Sequence, residues 1–144
     1  MLQTAIGLSI IFGFISSEFL NILSGGLVSA GYLAFFIEQP YRILSTSLLS
    51  ILTCLIVKLL QKFTIIYGRR RFMITVLISL CTSYFINRSF FYMADVNQDL
   101  RIIGYIIPGL IANDMLKQGI FKTLVMVYLS AILIRLIIMI GVYV

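Results

Sequence analysis

The chain has no histidine, only two cysteines and two prolines, and only five acidic residues among 144. Without imidazole, the side chain that most often serves as a general base near neutral pH is missing, and so is the commonest metal ligand. Cys54 and Cys81 both sit inside apolar runs. They suggest neither a disulfide framework nor a metal site and read as buried structural thiols. A Walker-type loop, G-x-S-x-G, H-E-x-x-H and C-x-x-C are all absent. The chain is therefore expected to hydrolyse no ATP, to carry no catalytic residue of its own and to need no metal or cofactor. The first residues also lack the basic region and cleavage site of a signal peptide, so the first apolar run reads as a permanent span.

Charge of either sign is scarce. Apolar residues make up 61% of the chain, charged ones 11%, and the mean hydropathy is +1.11. A soluble domain of this size leaves too much surface facing water to hide that apolar content. Lipid is thus the expected solvent for most of the outside. The net charge of +6 includes five cations, Lys58, Lys62, Arg69, Arg70 and Arg71, that lie between or at the edges of two apolar runs. That is the signature of a cytoplasmic loop held by the positive-inside rule. No basic face alternates with exposed aromatics, which excludes single-strand nucleic-acid binding.

Four runs reach the roughly 17–25 apolar residues a bilayer crossing needs: Leu2–Leu23, Ile43–Ile66, Phe72–Met93 and Ile120–Tyr143. Their aliphatic content and lack of internal proline predict helices, and the strand alternation of a barrel is missing. Two shorter apolar segments, Ser24–Ile37 and Ile102–Asn113, lie between them. Gly26, Ala30, Gly31, Leu33 and Ala34 match Gly104, Pro108, Gly109, Ile111 and Ala112 at a constant offset of 78 residues. The expected architecture is all-α and polytopic: one membrane domain, residues 1–144, with repeat halves of about 1–66 and 72–144. Each half is a long helix, a short glycine-broken segment and a long helix.

Glycine and proline in the short segments are expected to break or kink the helix at Gly25, Gly26 and Gly31 in the first and at Gly104, Pro108 and Gly109 in the second. Freed backbone groups must then be satisfied inside the protein or by water. Paired interrupted segments point to a binding or transport site; alternatively, the glycines simply let helices pack closely. If both segments cross, seven Lys/Arg lie inside (Lys58, Lys62, Arg69, Arg70, Arg71, Lys117, Lys122) and three outside (Arg42, Arg88, Arg101). If both re-enter, the tally is five against five. The charge rule favours six crossings with both termini outside.

The candidate site residues are charges within or beside the membrane. Arg135 has twelve uncharged residues before it and nine after. Three readings stand: it lines an anion path, it pairs with Glu18, Asp95 or Asp114, or it snorkels to the membrane edge. Glu18 closes the first run. Arg101 precedes the second short segment, and Asn113, Asp114, Lys117 and Gln118 follow it. Arg69, Arg70 and Arg71 serve as a topology anchor or dock an acidic partner or anionic lipid.

Several segments resemble the PgsC/CapC family: YGRRRF at 67–72, RIIGYIIPGLIAN at 101–113, KQG at 117–119, and GGLVSAGYLA followed by Gln39-Pro40, with Glu18 upstream. Ala30 stands where the family has proline, and Arg71 where it has lysine. The resemblance implies a multi-pass subunit of the bacterial cytoplasmic membrane. It implies two protein partners, a cytoplasmic ATP-dependent amide ligase (PgsB/CapB) and a subunit with a large extracellular domain (PgsA/CapA). It implies as product a poly-γ-glutamate chain that is made and moved outwards. A polyanion needs a wet route with fixed positive charge and no deep trap, which Arg42, Arg101, Arg135 and Lys117 would supply. Against this stand two other classes: a small-anion transporter or channel, requiring a homo-oligomer to enclose its pore, and a purely structural anchor for the ligase.

Overall fold

The structure, a computed structural model, describes the backbone of residues 2–19, 21, 28–90 and 98–143, and their side chains except at 2, 87–90, 98–104, 142 and 143. The described residues form helices and their connections, with no strand. In order these are α1 (Leu2–Phe19), α2 (Ser29–Phe35), α3 (Pro40–Phe63), α4 (Arg69–Phe90), α5 (Gln98–Gln118) and α6 (Ile120–Tyr143). Helices α3 and α6 are long and apolar enough to cross a membrane, and α1 is a shorter apolar helix.

The helix limits follow local chemistry. Pro40 opens α3, where a missing N–H costs nothing. Thr64, in extended conformation, ends it by donating its N–H to Leu60 O at 2.9 Å. Gly68, at φ +64°, precedes α4. One residue, Gly119, joins α5 to α6 at φ +102°, a conformation that excludes most side chains. Its N–H closes the end of α5 on Met115 O at 2.9 Å.

Which faces are buried identifies the solvent. Helix α3 buries Thr46, Ser50, Thr53, Cys54 and Val57. It turns Leu44, Leu48, Leu52, Leu55 and Leu59 outwards. In water the pattern would be the reverse. Small polar residues facing in and leucines facing out are what close helix packing in lipid requires. Each buried hydroxyl is satisfied locally: Thr53 Oγ1 donates to Leu49 O at 2.7 Å, and Ser50 Oγ to Ser47 O at 2.8 Å.

The same pattern recurs in α6, whose buried residues are Thr123, Val127, Ser130, Ala131 and Ile134. Each lies 77 positions after its counterpart in α3, and both sets begin with threonine. Helices α1 and α4 also correspond. Ala5, Ser9 and Gly13 are buried in one, and Thr75, Ser79 and Ser83 in the other, at the same four-residue spacing.

The interior belongs to α2 and α5. Residues 29–34 of α2 are all buried, as are 107–109 and 111–115 of α5. Helix α2 packs between α1 and α6, while α5 packs against α4, α3 and α6. Thus α3 lies with the helices after it in the chain, α4 and α5, whereas α6 returns to α1 and α2.

Two glycines set the tightest approaches. A Cβ on Gly31 would stand 2.6 Å from Ala5 O and 2.9 Å from Ser9 Oγ. One on Gly109 would stand 2.9 Å from Ser79 Cβ and 3.1 Å from Val76 Cα. Gly31 thus meets α1 about 18 Å back from its end at 1.5 Å per residue, so the chain has returned along most of α1 by that point. Helix α5 runs antiparallel to α4: Ser79 Oγ donates to Tyr105 O at 3.0 Å, and Gly109 lies against Val76 and Ser79.

Three expectations are corrected. The second short segment is part of a continuous 21-residue helix, so Gly104, Pro108 and Gly109 do not break it. Pro108 removes only the bond to the carbonyl four residues earlier, and the rest of the ladder holds. Gly31 likewise sits inside α2 rather than at a break, while Gly25 and Gly26 lie outside the described residues. Cys54 is buried as expected, but Cys81 is exposed, on the outer face of α4.

Candidate functional site

The C-terminal end of α2 is built from aromatics. Tyr32 and Phe36 stack with centroids 4.6 Å apart, and Phe35 meets Phe36 edge-on at 5.2 Å. Phe36 N–H donates to Tyr32 O at 3.2 Å, and Gln39 N–H donates back to Phe36 O at 2.9 Å. This turn carries Glu38 outwards and delivers the chain into Pro40. Two residues into α3, the Arg42 guanidinium lies 4.7 Å from the centre of the Phe36 ring, within cation–π range.

Arg135 of α6 reaches this turn. Its Nη2 donates to Glu38 Oε1, tying α6 to the α2–α3 connection across almost a hundred residues of sequence. The Arg135 side chain is 27% exposed and that of Glu38 is 73% exposed. The pair is therefore covered on the arginine side and open on the glutamate side. The anticipated partners of Arg135 are not the observed one. Asp114 is with Lys117, Glu18 is exposed at the end of α1, and Asp95 lies outside the described residues. Packing of α2 against α6 is what brings Glu38 into reach.

A second polar group caps α5. Asn113 and Asp114 are both 5% exposed. Lys117 Nζ lies 4.0 Å from Asp114 Oδ1, one helical turn on. Gln118 Nε2 donates to Thr123 Oγ1 at 3.1 Å, and that hydroxyl donates to Gly119 O at 2.8 Å. Measured along α6 at 1.5 Å per residue, Thr123 of this group and Arg135 are separated by about 18 Å. Most of a hydrocarbon core fits between them. Asn113, Lys117 and Gln118 therefore assemble at one end of the bundle, and Arg42 and Arg135 at the other.

The side chain of Arg101 lies outside the described residues. Arg69 and Arg70 are exposed at the start of α4. Arg71 is half-buried, and its Nε has no hydrogen-bond partner among the described residues.

Glu38 is the partner of Arg135 that the sequence did not single out. A signal was present: it is the sole carboxylate between positions 19 and 94, placed directly after an apolar stretch and before Gln39-Pro40. Chemically, a guanidinium in a charge-assisted pair, as at Arg135, and one restrained over a ring, as at Arg42, are each equipped to hold carboxylates.

A bundle whose described residues are helical, with leucine turned outwards, hydroxyls inwards and charge gathered towards both ends, has the build of a membrane protein. Its sequence matches the family model described as "Capsule biosynthesis CapC" over residues 8–124, and the chain belongs to that family. It is 37% identical over 124 residues to the "Capsule biosynthesis protein CapC" of Bacillus anthracis, covering 85% of this chain and 83% of that one. It is 38% identical over 123 residues to the "PGA biosynthesis protein CapC" of Bacillus subtilis (strain 168), with the same coverage. No solved structure matches the chain. Glu38, Arg42 and the 113–118 group fall within the family match, while Arg135 lies beyond its end.

Proposed function

We propose that this chain is a multi-pass subunit of the bacterial cytoplasmic membrane that serves the synthesis and outward movement of poly-γ-glutamate. The observation that carries this reading is the likeness, over 85% of the chain, to relatives named for capsule and PGA biosynthesis. The physics agrees with it. Poly-γ-glutamate carries a free carboxylate on every residue, so a subunit on its route should hold carboxylates weakly and repeatedly. The Arg42–Phe36 and Arg135–Glu38 contacts at one end, and Lys117 at the other, are of that kind.

In this reading the chain crosses the bilayer six times, one crossing being the short segment that contains α2, and the chain is a duplication of a three-helix unit. The recurrence of buried positions between α3 and α6, and between α1 and α4, supports it. Activation of the glutamate carboxylate by ATP then belongs to a PgsB/CapB-like ligase, held through Arg69, Arg70 and Arg71 on the cytoplasmic side. A PgsA/CapA-like subunit works on the outside.

The test is ATP-dependent formation of γ-linked glutamate polymer in bacterial membranes containing both partners, with and without this chain. Polymer that depends on the chain supports the reading. Equal polymer without it removes the chain from synthesis, and its carboxylate-holding ends then serve a smaller anion, measured as flux into liposomes.

A further inference from the structure

We propose that Glu38 is a displaceable internal ligand. It occupies, from within the chain, a site on Arg135 that takes the free carboxylates of the γ-glutamyl polymer. This rests on the proposed function and names the chemistry of one of its sites.

The two partners of the pair differ in how they are held and covered. Arg135 projects from a helix with no other charge between residue 123 and the chain end, so its guanidinium requires a partner. The nearest anion on offer is a carboxylate on the turn between α2 and α3, and that carboxylate is largely exposed. An ion pair with one open partner gains little and exchanges readily. Arg135, by contrast, is held in place by its helix, whose neighbouring Ile134 and Ala131 are buried in the core.

Arg42 follows Glu38 by four residues, two residues into α3. It is restrained over the Phe36 ring, and Phe36 is itself buried. Arg135 thus holds the exposed carboxylate, and a second, restrained guanidinium follows that carboxylate by four residues of chain. A polymer with a carboxylate on every residue presents those groups at high local concentration once one of them is bound. Such a chain can replace Glu38 without leaving Arg135 unpaired. The internal carboxylate keeps the arginine satisfied between passages. It also lowers apparent affinity by the fraction of time it occupies the site, which suits a path that must release what it binds.

This makes the two partners of one ion pair differ in sign. The measurement is binding of a fluorescent γ-linked oligoglutamate to the purified full-length chain in nanodiscs, for wild type, Glu38→Gln, Arg135→Gln and Arg135→Lys. The same proteins are assayed for polymer formation in membranes with the ligase and its extracellular-domain partner.

Glu38→Gln is expected to bind the oligomer about two- to five-fold more tightly, the range an open ion pair can withhold. Arg135→Gln is expected to lose most binding, and Arg135→Lys to keep part of it. A structural role for the pair predicts instead that Glu38→Gln and Arg135→Gln weaken binding together, and that result overturns the proposal. So does a wild-type chain that supports polymer formation yet binds no oligomer. If wild-type membranes form no chain-dependent polymer, the proposed function fails first, and the displaceable ligand falls with it.

Discussion

Gly31 and Gly7 make a matched pair for testing the tightest approach in the bundle. Both are helical glycines, so alanine at either gains the same intrinsic helix preference, up to about 1 kcal/mol. They differ in surroundings. A Cβ on Gly7 meets nothing within 4 Å, whereas one on Gly31 stands 2.6 Å from the Ala5 carbonyl oxygen. A backbone oxygen cannot rotate away, so α1 and α2 must separate. Forcing extra volume into a packed interior costs about 1–3 kcal/mol. Comparing Gly31→Ala with Gly7→Ala cancels the preference gained by both and leaves the packing cost. At tenfold per 1.4 kcal/mol, that cost is about a five- to 150-fold rise in the opened population.

The chain supplies its own probe. Cys54 is fully buried, in the same contiguous core as Ala30, Leu33 and Phe36. With Cys81 replaced by serine, thiol labelling of Cys54 in mixed micelles reports how often that core opens. Gly31→Ala should label faster than Gly7→Ala by that factor. Equal labelling rates would refute the close approach of α1 and α2, and with it the placement of the α2–α3 turn beside α6.

Ser79→Ala removes a hydroxyl that donates from α4 to the Tyr105 carbonyl of α5. Interhelical bonds of this kind average about 0.6 kcal/mol in membranes, so Cys54 labelling should rise roughly threefold, while Ser17→Ala, whose bond is local and exposed, should change nothing. A fluorophore on Cys81, which faces outwards, should be quenched by lipids brominated along the acyl chain and not by iodide in the water; the reverse result would place that face of α4 out of the lipid. Single cysteines at Asn21 and Gln39, introduced into a cysteine-free chain, should react with impermeant reagent from opposite sides of the membrane if the α2 segment crosses. Labelling from the same side would make it re-entrant and end the six-crossing proposal.

How much was legible in the sequence depended on whether the signal was local. Composition and run length required lipid as solvent and α-helix as structure, because neither depends on what touches what. The recurrence of Gly31 at Gly109 was legible as well, since the strings align over a few residues. Its meaning stayed open between helix breaks and close packing, and the choice between them shows only once Ala5 and Ser79 are seen opposite the glycines, which serve as contact points inside helices. Cys81 looked like Cys54 because both sit inside apolar runs, and helical phase separates them.

The sequence by itself determined the apolar outside, the helical class, the clustering of cations at 58–71 and the candidate charges, since hydropathy and charge spacing are properties of the chain alone. That those cations sit on the facing ends of α3 and α4, with an uncharged connection between them, shows only in the fold. Tertiary structure decided the partners. Arg135 pairs with Glu38 because α6 folds back beside α2, a contact between residues 97 apart, and no local pattern encodes which of five carboxylates an arginine in the last helix will meet.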